Sequence, residues 1–162
     1  MSKLEAKLHD LSCRRGRREF LASLSPEIRS VFESCPTDSS DGALKFIVFP
    51  KWNNGVLSTT RENVEDWHRE EFPSWESAKE AFLNFNLPGD KIGWLSFDFS
   101  GMHYEMSGKV LCDHRAEILD LLVSKNGGYR DLSWVGKNED FGIALEYNSG
   151  QENEFELYWW KI

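Results

Sequence analysis

Leu4, Leu8 and Leu11 recur at helical spacing, and Phe20, Leu21, Leu24, Ile28, Val31 and Phe32 continue the pattern. Gly16 falls between these groups and weakens the helix by about 1 kcal/mol relative to Ala. "SPE" at Ser25 to Glu27 is a helix start: Ser as N-cap, Pro at the first position, Glu in the first turn. The pattern predicts a long first helix and a short second one ending near Cys35 and Pro36.

"PTDSSDG" (Pro36 to Gly42) is a polar loop, and "ALKFIVF" after it has the composition of a strand stopped by Pro50. The Asn-Gly pair in "KWNNG" is a tight-turn signal leading into a short "VLST" strand. Thr59 and Glu62 have capping-box spacing, which predicts a helix through Trp67 and His68. Ser74 caps a further helix, "WESAKEAFLNF", striped by Trp75, Ala78, Phe82 and Phe85. "LPGD" is a turn before "KIGWLSFDFS", where Leu95, Phe97 and Phe99 alternate onto one face; "MHYEM" is a short strand. Cys112 to Ser124 reads as a helix with Ile118, Leu119 and Leu122 buried, ended by Asn126-Gly127-Gly128.

Three strands close the chain: "LSWV", "FGIALEY" and "FELYWW". In the last hairpin Phe141, Ile143, Leu145, Tyr147, Phe155, Leu157 and Trp159 share a core face. Glu146, Glu156, Tyr158 and Trp160 share the other face, with Gly142 and Ala144 as small neighbours. An unpaired buried carboxylate is costly, so this second face is expected to be partly wet, with Trp160 more exposed than Trp159. The competing reading covers it with a helix and packs Tyr158 and Trp160 on Gly142 and Ala144. Helices in the first half and antiparallel strands in the second make the expected class α+β. One domain over 1–162 is expected, with a helical segment 1–35 and a mixed body 43–162.

Composition adds charge to this picture. The 162 residues carry a formal net charge of -8. Residues 1–30 hold seven Lys/Arg against four Asp/Glu, a net of +3; the remaining 12 basic and 23 acidic residues leave -11 for the body. Such a body repels nucleic acid and attracts basic partners. Arg14, Arg15, Arg17 and Arg18 of "RRGRR" are diluted by flanking acids and read as a solvated helix face, so nucleic-acid binding is the lesser expectation. The absence of a long apolar run or signal-like stretch argues against a membrane partner and for a cytoplasmic location. Three widely spaced cysteines (Cys13, Cys35, Cys112) suit reduced thiols.

Chemical motifs are few. Cys112 and His114 stand two apart on a predicted helix and point to different sides, which rules against a nucleophile-base pair. His103 and Glu105 form H-x-E without the downstream P-C-x-x-C of zinc deaminases. With Asp98 they would make an acid-base or metal group on one strand face. Phosphate-cradling glycine motifs and the G-x-S-x-G elbow are absent from the sequence. No cofactor is expected. What remains is acidity interleaved with aromatics: Trp67, Glu70 and Glu71; Glu139 and Asp140 beside Trp134; and Glu146, Glu156, Tyr158 and Trp160. Aromatic anchors among charges are what protein interfaces use, and these nine residues (Trp67, Glu70, Glu71, Glu139, Asp140, Glu146, Glu156, Tyr158, Trp160) are the expected partner-binding set.

A small, acidic, tryptophan-rich chain ending in "WVGKNEDFGIALEYNSG" and "FELYWW" resembles bacterial immunity proteins of contact-dependent and other polymorphic toxin systems. The resemblance implies a cytosolic, non-enzymatic protein that binds a cognate toxin domain, often a basic nuclease, and occludes its active site. The alternative expectation is an enzyme working through Asp98, His103 and Glu105.

Overall fold

A computed structural model describes residues 3–38, 51–53, 56–58, 67–97, 103–123, 127–136, 141–150 and 152–162. Two helices open it, α1 (Lys3–Ser23) and α2 (Pro26–Ser34). The strands are β1 (Thr37–Asp38), β2 (Lys51–Asn53), β3 (Val56–Ser58), β4 (Trp67–Phe72), β5 (Ile92–Phe97), β6 (His103–Ser107), β7 (Leu132–Gly136), β8 (Gly142–Tyr147) and β9 (Phe155–Trp160). Helix α3 (Trp75–Asn84) follows β4, and α4 (Gly108–Asp120) follows β6.

Seven strands form one antiparallel sheet in the order β1-β6-β5-β7-β8-β9-β4, while β2 and β3 pair with each other as a separate hairpin. The class is α+β, with the sheet drawn mainly from the C-terminal half.

Alternation decides what the sheet buries. Leu95, Phe97, Tyr104, Leu132, Trp134, Ile143, Leu145, Phe155 and Leu157 share one face and one continuous core. The described helices pack on this face. Phe20 of α1 and Phe32 of α2 contact the rings of Phe97 and Tyr104, and Trp75 of α3 meets Phe155. Leu111, Ile118 and Leu119 carry α4 into the same cluster. The Trp134 indole donates to the Met106 carbonyl at 3.2 Å. A buried indole N–H without such an acceptor would be costly.

Local signals explain the helix starts. Ser25 precedes Pro26 at the head of α2, and the Ser74 hydroxyl accepts from the Ser77 N–H at 3.3 Å at the head of α3. Ser107 caps α4 in the same way through Val110, so this helix starts four residues before the expected Cys112. It ends at Asp120, ahead of the expected glycines, although Ile118, Leu119 and Leu122 are buried as the stripe requires.

Three further expectations change. The polar loop after Pro36 contains strand β1, which pairs Thr37 with Tyr104. Trp67 and His68, expected to end a helix, instead open strand β4, whose six residues are in register with all six of β9. Six ladder pairs with β9 set the conformation of this segment, beyond what local propensity shows. The leucines of α1 do recur helically, but Leu4, Leu8 and Leu11 are 67%, 58% and 62% exposed, so their stripe does not face the core. The predicted strand "ALKFIVF", Phe99 and the Thr59-Glu62 box lie outside the described residues. Among the described residues no helix is long and apolar enough to cross a membrane.

Candidate functional site

The sheet face opposite the helices is organised in rungs, because antiparallel register lines up residues from successive strands. One rung runs Glu105, Trp94, Val135, Gly142, Trp160, Trp67 across β6, β5, β7, β8, β9 and β4. The next runs His103, Ser96, Ser133, Ala144, Tyr158, Arg69 across the same strands. A third sets Glu146, Glu156 and Glu71 side by side on β8, β9 and β4.

The apolar rung holds a second small cluster of Val135 and Trp160, with Trp94 against it. Gly142 makes it possible. A Cβ there would sit inside the Trp160 indole, whose Cε2 would lie 2.7 Å away. The glycine is required by this close approach.

In the middle rung Ser96 Oγ and His103 Nδ1 share a hydrogen bond of 2.6 Å, and both residues are buried. Ser133, directly opposite Ser96, is buried, and its Oγ has no hydrogen-bond partner among the described residues.

Three glutamates in one rung would repel one another if bare. Arg69, one step along β4, resolves this. Its Nη2 bonds Glu156 Oε1 and lies 2.5 Å from Glu71 Oε1. The Glu156 side chain is 1% exposed and that of Arg69 is 28% exposed. Glu156 Oε2 also accepts from the Tyr158 hydroxyl and, at 2.9 Å, from Asn148 Nδ2. A buried carboxylate tolerates its site when its lone pairs are filled in this way. Burial opposes the Arg69 charge, but its hydrogen bond and attraction to Glu156 outweigh that, so the guanidinium is held above its ordinary value. Burial first, and then the bond to Glu156, pushes the Tyr158 phenol up, so it stays a donor.

The expectation of a wet face at Glu156, Tyr158 and Trp160 is therefore overturned. All three are buried: Glu156 at 0%, Tyr158 at 1% and Trp160 at 8% exposure. Trp159 is the half-buried one. It stacks on His68 at 5.4 Å and meets the Phe85 ring edge-on at 5.3 Å. The alternation was right and the inference from it was not, because Glu156 is paired. Trp160 does pack on Gly142, as the competing reading held, but none of the described helices lies on that face.

The expected acidic set is divided. Glu70 and Glu71 are exposed, on opposite faces of β4: Glu70 stands opposite Leu157, and Glu71 stands opposite Glu156. Glu146 is half-buried beside Glu156. Trp67 faces Trp160 in the register. Glu139, Asp140 and Asp98 lie outside the described residues. His103 and Glu105 share a face, but His103 is buried on Ser96 while Glu105 is part-exposed beside Trp94. Among the described residues no group of three or more His, Cys, Asp or Glu is arranged to hold a metal ion.

β4 ends the described sheet and presents an edge. Its central residues His68, Arg69, Glu70 and Glu71 are exposed and charged or polar, the usual guard against indiscriminate strand pairing. Asn153 donates to Glu71 Oε2 at 3.2 Å, which draws the β8–β9 loop, with exposed Glu152 and half-buried Glu154, to this edge. The sequence reading missed Arg69, Asn148 and Ser96. Arg69 was detectable only as the residue alternating with Trp67 and Glu71. Comparison with protein-family models, curated proteins and solved structures returned no match.

Proposed function

We propose that the chain is an acidic protein-binding module that docks a basic partner at the β4 edge. The observation that carries this reading is the edge itself. It is a terminal strand with Glu70 and Glu71 exposed on its two faces, and Glu152 stands exposed on the loop tied to it by Asn153. The bond from part-exposed Arg69 to buried Glu156 holds that strand in register, so the exposed carboxylates are preorganised on a rigid element. Electrostatic complementarity of this kind steers a cationic partner and selects against others.

The resemblance to immunity proteins makes that partner a basic toxin domain, neutralised in the cytoplasm without chemistry. Growth rescue tests it. Co-expression of the chain with a cognate basic toxin domain restores growth, and Glu70→Lys with Glu71→Lys abolishes the rescue. A toxin equally restrained by the charge-reversed chain would contradict the docking surface.

A second reading keeps His103 and Glu105 as acid-base or metal-ligand residues, supported by their common face. A stoichiometric metal in the purified protein, lost in His103→Ala, would favour it over the first.

A further inference from the structure

The outer face of α1 is unlike the rest of the molecule. Leu4, Leu8 and Leu11 are the most exposed of the large hydrophobic residues described. At about 100° per residue they form one stripe, on the side of the helix away from Cys13 and buried Phe20, which pack into the core. Lys7, Arg14, Arg15 and Arg18 project on the same outward half of the helix as these leucines, and all four are exposed. Two of these cations are ion-paired within the helix, Arg15 to Glu19 at 2.8 Å and Arg14 to Asp10 at 3.0 Å, and exposed Glu5 stands at the margin of the face. The face therefore combines three leucines with four exposed cations, of which Lys7 and Arg18 have no ion pair among the described residues, on a chain whose body is acidic.

We propose that this face of α1 lies on an anionic phospholipid surface. The leucines would enter the boundary between headgroups and acyl chains, with the cations beside them at phosphate level. Long basic side chains snorkel in this way while their stems cover apolar surface. The chemistry disfavours other occupants. A second copy docked through the same face would bring Arg14, Arg15 and Arg18 of two chains together. Nucleic acid would use the cations but leave the leucines in water. The sequence-level expectation against a membrane rested on the lack of a spanning run, and a helix lying in the interface needs none.

Sedimentation of the full chain with vesicles tests this. Vesicles of phosphatidylglycerol and phosphatidylcholine in equal parts pellet the protein at low salt, and pure phosphatidylcholine vesicles do not. Leu8→Ser weakens partitioning by about tenfold, the worth of one leucine moved back into water. Arg14→Gln with Arg18→Gln weakens it by a similar factor, about tenfold. These side chains are exposed, so far-UV circular dichroism stays unchanged. Failure to pellet with anionic vesicles would overturn the proposal. Pelleting that Leu8→Ser leaves untouched would also overturn it, by showing mere charge adsorption. A dimer in analytical ultracentrifugation that Leu8→Ser splits would assign the face to a second copy instead.

Discussion

Arg69 and Glu156, 87 positions apart in the chain, join β4 to β9 through a guanidinium-carboxylate bond on the sheet face that carries no described helix. Removing one partner of a buried pair leaves an uncompensated charge, which typically costs 3–5 kcal/mol. Tyr158 and Asn148 still donate to Glu156 when Arg69 is gone. Arg69→Ala is therefore expected to cost about 3 kcal/mol, the lower end of that range. Urea denaturation measures it, and Glu156→Gln in the Arg69→Ala background should recover part of the loss. A cost below about 1 kcal/mol would be that of a solvated surface pair and would contradict the burial of Glu156.

Gly142→Ala drives a methyl group into the Trp160 ring. The expected cost is about 1–3 kcal/mol, the range for overpacking. Combining it with Trp160→Leu should give less than the sum of the two single changes. Additive losses in a double-mutant cycle would show that the two residues do not meet.

Ser133 Oγ is buried without a partner among the described residues. Replacing an unsatisfied hydroxyl with a methyl group removes a desolvation penalty. Ser133→Ala should leave the denaturation midpoint unchanged or raise it. A loss of more than about 1 kcal/mol would reveal a hydrogen bond to that oxygen.

Much of this architecture was legible in the sequence. The caps at Ser25 and Ser74, the stripe of α3 and the alternation in β8 and β9 all read directly from local spacing. The pairing of distant strands did not. Trp67 to Phe72 carries no strong strand composition, and it is a strand because β9 lies beside it. With Trp67 and His68 read as the end of a helix, the pairing of Arg69 with Glu156 goes unseen, and Glu156 is then assigned to water. One missed pairing thus inverted the expected exposure of Trp159 and Trp160. The stripe of α1 failed differently. Periodicity shows that leucines share a side of a helix, and it does not show whether anything packs there.

Tyr104 and Tyr158 are both buried, and burial pushes both phenols above their ordinary value, helped in Tyr158 by the bond to Glu156. The folded state keeps these protons at a pH where the unfolded chain releases them. Their contribution to stability is therefore complete below about pH 10 and is lost as pH rises from there toward the folded-state values. The expected slope is about 1.4 kcal/mol per pH unit for each of the two. Denaturation midpoints measured from pH 8 to pH 11 should fall only in the upper part of that range, and Tyr104→Phe should flatten the fall.

Titration calorimetry of the chain against the proposed partner, a basic toxin domain, tests the docking account most directly. Glu70→Lys and Glu71→Lys are made singly and together, and each variant is checked for an unchanged circular-dichroism spectrum. Glu70 carries no described ion pair, so its reversal isolates the interface from the Arg69 network. The account predicts that each reversal weakens binding by about tenfold or more and that affinity falls with added salt. Unchanged affinity in the doubly reversed chain, with no salt dependence, would contradict it.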